Sequence, residues 1–155
     1  MKTVYFLLLF LSISLFATTP VVAQTDIPLR ADYGLIKVED LLKQGKYSEA
    51  LNETTVVLQR RQRDADAYTY RGYAYYKLGQ KDQALECFKT ALMLQPTHLG
   101  ANKYLATMYL DAGDIARALE QLQAMRIICG QNYCGEIDML QREIDSKKPQ
   151  QKIED

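Results

Sequence analysis

Two ladders in this sequence share one period, and that period constrains the fold more than any other feature. Gly45, Gly79 and Gly113 are spaced 34 residues apart, and Ala50, Ala84 and Ala118 repeat in phase with them. A repeat of that length is one supersecondary unit, such as a pair of elements joined by a turn. One such pair cannot bury its own apolar face, so several must stack on one another. Each rung has a physical task. The glycine ends the first helix in a left-handed conformation that costs it no Cβ strain, and the alanine lets the second helix approach the first closely. The spacing divides the chain into three repeats over 31–64, 65–98 and 99–132.

The middle hairpin carries the most specific pattern. Tyr68, Arg71, Gly72 and Tyr75 are followed by Gly79, Ala84, Phe88, Ala91 and Pro96. This arrangement resembles the tetratricopeptide repeat, whose signature places tryptophan, leucine-glycine, tyrosine, alanine, phenylalanine and proline at these offsets. Tyr68 stands where the family usually has tryptophan and Arg71 where it has leucine, so a ring and an arginine stem replace part of the usual packing. The resemblance implies an all-α, right-handed α-solenoid of three tetratricopeptide helical hairpins plus a C-terminal capping helix. Gly34, Lys37 and Thr54 take the places of Tyr68, Arg71 and Phe88 in the first hairpin, which is therefore expected to be the loosest. Ser48 is placed to help start its second helix. Pro96 stops the second helix of the middle hairpin, and Thr97 and Asp114 are the expected N-caps of the next two helices.

The ends read differently from the middle. Residues 1–23 have the parts of a secretory signal: Lys2, an apolar run over 4–17, and the small-residue exit Val21, Val22 and Ala23. The run is shorter than the roughly 20 residues of a membrane span, and no cysteine near its end offers a lipid attachment point. Cleavage after Ala23 predicts an exported, periplasmic or secreted protein without membrane insertion. Residues 24–30 contain Pro28 and little periodicity, and are expected to be a flexible lead. Ile137, Leu140 and Ile144 recur at helical spacing within 135–146, the expected capping helix. Residues 147–155 are polar with Pro149 and read as a disordered tail.

Function classes narrow by exclusion. With 19 Lys and Arg against 19 Asp and Glu, the chain has no electrostatic reason to seek nucleic acid. His98, the one histidine, has no local partners for a catalytic triad or a metal site, and is expected to be a solvated turn residue. No glycine-rich phosphate loop occurs. No enzyme activity, metal or cofactor is expected. Cys129 and Cys134 bracket a turn, and export would favour a structural disulfide between them. A redox pair and two buried thiols are the alternatives, the first of which would make the chain a small redox or envelope-assembly protein. Cys87 reads as a small core residue.

Eleven tyrosines and no tryptophan bear on binding, because a tyrosine offers an apolar face and a hydroxyl at low entropic cost. In solenoids of the resembled family the first helices line a groove that holds peptides. That resemblance implies groove positions at Thr69, Tyr73, Tyr76 and Lys77, at Lys103, Thr107, Leu110 and Asp111, and at Leu35, Glu39 and Leu42. The same rings have an alternative place, packed between hairpins. Members that hold a partner's terminal carboxylate use basic and amide side chains where this chain has Leu35, Glu39, Tyr70, Gly100 and Tyr104. The implied function is a non-enzymatic adaptor for a protein or peptide partner, with a neutral aromatic groove and no carboxylate clamp.

Overall fold

The structure, a computed structural model, describes residues 27–132 and 134–147. The expected signal over 1–23 and the polar residues 148–155 lie outside the described residues. Seven helices follow one another: α1 (Ile27–Lys43), α2 (Tyr47–Arg60), α3 (Ala65–Lys77), α4 (Lys81–Leu94), α5 (Leu99–Asp111), α6 (Ile115–Cys129) and α7 (Gly135–Lys147). They form three hairpins and a last helix, and there is no strand among the described residues. The protein is an all-α solenoid.

The turn within each hairpin is the same structure three times over. Gly45, Gly79 and Gly113 have φ of 74°, 77° and 77°. In each turn the glycine N–H donates to a carbonyl three residues back, and the next N–H reaches five back, as in Lys46 N to Leu41 O at 2.9 Å, Gln80 N to Tyr75 O at 2.9 Å and Asp114 N to Tyr109 O at 2.9 Å. This pair of bonds satisfies carbonyls that the helix end would otherwise leave open, and it needs a left-handed residue at the glycine.

Packing follows the same register. Ala50, Ala84 and Ala118 are all fully buried. Two positions, one on each helix of a hairpin, trade volume: Gly72 with Phe88, Ala106 with Leu122, Val38 with Thr54, every one of them buried. The trade is tightest in the middle, where a Cβ added at Gly72 would lie 2.7 Å from the Phe88 ring. Thr54, expected to leave the first hairpin loose, is fully buried and donates from Oγ1 to Leu51 O at 2.8 Å, while Val38 supplies the volume that Gly72 lacks. A cavity of about 210 Å³ lies beside Gly34, walled by Tyr33, Val56, Val57 and Arg60.

The stack curves toward one side. α1 touches α3, α3 touches α5 and α5 touches α7, whereas none of α2, α4 and α6 touches another. The first helices therefore crowd along an inner face and the second helices spread along an outer one. At the end of the stack Leu140 and Ile144 of α7 join Leu110, Leu122 and Met125 in one cluster, so α7 covers the third hairpin.

Four local expectations are corrected. α1 begins at Ile27, inside the segment read as a flexible lead, because proline is compatible with a helix's first turn and Pro28 falls there. Ser48 lies inside α2, whose N-cap Lys46 makes no side-chain cap. His98, not Thr97, caps α5, its Nδ1 accepting from Ala101 N at 3.1 Å. Lys147, assigned to the tail, is the last residue of α7. Asp114 caps α6 as expected. Asp64 does the same for α3, accepting from Ala67 N at 2.9 Å while its other oxygen meets Arg61 at 2.7 Å.

Candidate binding groove on the inner face

Tyrosines run along the inner face because successive turns of α3 and α5 place them there. Tyr73 stands between Tyr47, with ring centroids 6.4 Å apart and an edge-on contact, and Tyr104, at 4.6 Å. Tyr104 in turn lies 6.2 Å from Phe88, nearly parallel to it. Each tyrosine of this row is half-buried, one side held by the hairpins and the other left open. Lysines stand over two of them, Lys77 Nζ 5.8 Å from the Tyr73 centroid and Lys103 Nζ 6.0 Å from that of Tyr104, the geometry in which a ring's quadrupole attracts a cation. Burial pushes the hydroxyls of Tyr70 and Tyr104 above the ordinary tyrosine range, and the charge of Glu39 adds to it at both.

Beside this row a cavity of about 200 Å³ opens between α3 and α5 at the edge of α7, walled by Asp66, Tyr70, His98, Lys103, Tyr104 and Glu136. Gly100 forms part of its floor. His98 is not a solvated turn residue, since its side chain is only 11% exposed. Its Nδ1 accepts from the Ala101 amide and so carries no proton. The proton of the neutral ring therefore sits on Nε2, which lies 2.9 Å from Asp66 Oδ1. One residue thus caps α5 and ties it to α3.

A second tie crosses three helices. The Tyr76 hydroxyl donates to Asp111 Oδ2, and Lys147 Nζ donates to Asp111 Oδ1 at 2.9 Å. Burial first, then the bond to Asp111, raises the Tyr76 hydroxyl far above its usual range. The Asp111 carboxyl is lowered from 3.8 by the Tyr76 bond and then by Lys147. A carboxyl whose folded value is depressed contributes stability that is present above its unfolded value and is lost as pH falls through the folded one. The tether of α7 is therefore expected to weaken as pH drops below 3.8. Amide shifts of α7 followed through an acid titration should show this step in the wild type and lose it in Asp111→Asn.

The groove residues expected from sequence divide into three groups. Tyr73, Lys77, Lys103 and Thr107 lie on the inner helices with some exposure, and Thr107 donates from Oγ1 to Lys103 O at 3.1 Å. Tyr76 and Asp111 are engaged with each other. Thr69 and Leu110 are 1% exposed and offer no open surface; Thr69 donates to Ala65 O at 2.8 Å and backs the cavity. In the first hairpin Leu42 is buried and Leu35 packs against Val57, Leu58 and Ala67, which leaves Glu39 on the surface beside Lys43 at 2.8 Å. Tyr70, Tyr104, Asp66 and Glu136 were not singled out as binding residues. Tyr70 and Tyr104 occupy the positions matched to a carboxylate clamp, and that correspondence was the signal that could have found them.

Cys129 and Cys134 are joined as a disulfide between α6 and α7, with Cα atoms 6.3 Å apart. Cys87 is unpaired and half-buried, and burial raises its thiol above the ordinary range. In an oxidising compartment Cys129→Ser with Cys134→Ser is expected to cost about 2 kcal/mol, the chain-entropy figure for so short a loop. Thermal melts check this, and alkylation without reduction should mark one cysteine in the wild-type chain against three if the bond is absent. No group of three or more His, Cys, Asp or Glu among the described residues could hold a metal ion. No helix among them is long and apolar enough to cross a membrane.

Comparison with known proteins agrees with this geometry. Residues 65–98 match the family described as tetratricopeptide repeat. The Hsp70-Hsp90 organizing protein 1 of Glycine max is 37% identical over 93 residues, which is 60% of this chain but 16% of that protein. The chain therefore spans about a sixth of that relative's length. Among solved structures, the TPR2B domain of yeast Sti1 in complex with pHsp70 has a TM-score of 0.68 at 22% identity, covering 77% of this chain and 99% of that one. The Yersinia enterocolitica type III secretion chaperone SycD, in complex with a peptide of the translocator YopD, has a TM-score of 0.63 at 16% identity, covering 76% and 88%. With the repeated turns, the shared buried positions and the curvature toward the first helices, these likenesses lead to one assignment: the chain carries a tetratricopeptide repeat at residues 65–98 and has the all-helical fold of tetratricopeptide repeat proteins.

Proposed function

We propose that this chain is a non-enzymatic binding module that holds an extended segment of a protein partner along α1, α3, α5 and α7. The observation that carries this reading is the row of half-open rings, Tyr47, Tyr73 and Tyr104, with Tyr70 beside it and two lysines over their faces. Rigid rings held from behind by the hairpins offer contact area with little entropy left to lose. The solved complexes of similar fold contain pHsp70 or a YopD peptide, which supports peptide binding as a use of this fold. With Leu35, Glu39, Tyr70, Gly100 and Tyr104 at the clamp positions, a terminal carboxylate is not the group to be held. Export to the periplasm or beyond is part of the same proposal, supported by the signal-like residues 1–23 and by the Cys129–Cys134 bond.

Pull-downs from envelope extract test the face used. Tyr70→Ala with Lys77→Ala is expected to remove most of the captured partner; because Tyr70 also packs against the cluster of Val38, Leu42 and Ala74, the melting temperature should fall while the chain stays folded at the temperature of capture. The outer-face pair Met93→Ala and Ile127→Ala, both highly exposed, should capture as the wild type does. Unchanged capture by the inner-face variant, or loss by the outer-face one, would overturn the proposal.

A further inference from the structure

The inner face is not uniform along its length, and its end nearest α7 has a charge of its own. The walls of the cavity between α3 and α5 supply two carboxylates, Asp66 and Glu136. Against these stands one ammonium, Lys103. His98 is already engaged, its Nδ1 accepting from the Ala101 amide and its Nε2 facing Asp66. Glu136 is half-buried and has no hydrogen-bond or ion-pair partner among the described residues. Aromatic sides, an acidic rim and a floor opened by Gly100 suit one kind of occupant.

Resting on the groove reading above, we propose that this cavity receives a lysine or arginine side chain of the bound segment, its stem lying between Tyr70 and Tyr104 and its cationic head between Asp66 and Glu136. A long cationic side chain buries its methylenes on apolar surface while the head stays polar. A ring face beside the head adds attraction that strengthens as water is excluded. A carboxylate in the same place would meet two like charges against one ammonium. The neighbouring rings already hold cations, Lys77 over Tyr73 and Lys103 over Tyr104. Lys103 is thus a competitor of the incoming cation, and its removal should improve binding.

The test titrates the whole chain with three capped amino acids, Nα-acetyl-arginine methylamide and its citrulline and glutamate counterparts, following the amide resonances of Gly100, Lys103 and Glu136. The arginine compound is expected to shift these resonances at lower concentration than either counterpart. Its apparent dissociation constant should rise roughly threefold in Glu136→Gln and fall roughly threefold in Lys103→Ala, the scale of a partly exposed charge pair. A merely structural role for Lys103 would not produce tighter binding on its removal. Equal response to arginine and citrulline, preference for glutamate, or weaker binding in Lys103→Ala would overturn the inference. In those cases the cavity still accepts a side chain and the groove reading stands. Silence of these resonances toward all three compounds overturns the inference as well, and the inner-face pull-down then decides the groove reading on its own.

Discussion

Phe88→Ala is expected to lower stability by about 3–5 kcal/mol, the cost of deleting a buried aromatic ring. Phe88 is fully buried, with Gly72 against one side and Tyr104 of the next hairpin against another. It therefore holds both the middle hairpin and its junction with the third. In a stack whose stability is a sum of units and nearest-neighbour interfaces, weakening the centre separates the two ends. Urea denaturation should show a lower midpoint and a shallower slope as cooperativity is lost. A midpoint like that of the wild type would show that Phe88 does not bear this role. The partner position sharpens the test. Gly72→Ala alone drives a methyl into the Phe88 ring and should cost about 1–3 kcal/mol. Combined with Phe88→Leu it recreates the Ala106 and Leu122 pairing of the third hairpin and should recover part of the loss.

Ile144→Ala should be nearly as costly, about 2–5 kcal/mol by the range for a buried aliphatic residue, but its effect should stay local. Ile144 is fully buried against Leu110, Leu122 and Met125, and α7 touches only α5 and α6. Opening of the last helix leaves the first two hairpins with all their neighbours. Native-state hydrogen exchange is the suitable measurement because it resolves sub-global opening. Protection should fall in α7 and in the facing residues of α5 and α6, while α1 and α2 keep theirs. Equal loss across α1 and α7 would show a single cooperative unit instead.

The parts of this fold governed by short-range periodicity were legible in the sequence. The glycine and alanine ladders placed all three turns and three fully buried positions, and Ile137, Leu140 and Ile144 located the last helix. What escaped depended on which of two chemically adequate neighbours the backbone selects. Thr97 has the commoner capping side chain, yet His98 sits at the position from which a side-chain acceptor meets the Ala101 amide and also reaches Asp66. Pro28 and the weak periodicity around it read as a flexible lead, although proline is at home in a helix's first turn. In the groove, burial separates the expected residues, since Tyr73, Lys77, Lys103 and Thr107 keep some exposure. Thr69 and Leu110 point into the stack, and Tyr70 borders the open cavity. A rotation of one residue is about 100°, enough to exchange a wall for an opening, and only the contacts between hairpins settle it. Glu136 escaped because a cap reads as a lid, with no hint that its first turn borders a cavity.

The near-identity of the three glycine turns bears on reach. Each hairpin closes its turn by the same bonds and with φ within a few degrees of the others, so the two helices of every unit meet in the same way, while the step from one unit to the next is left to the junctions of α2 with α3 and α4 with α5. If the inner face holds a chain as proposed, the length held follows the number of such units, independently of what any one of them recognises.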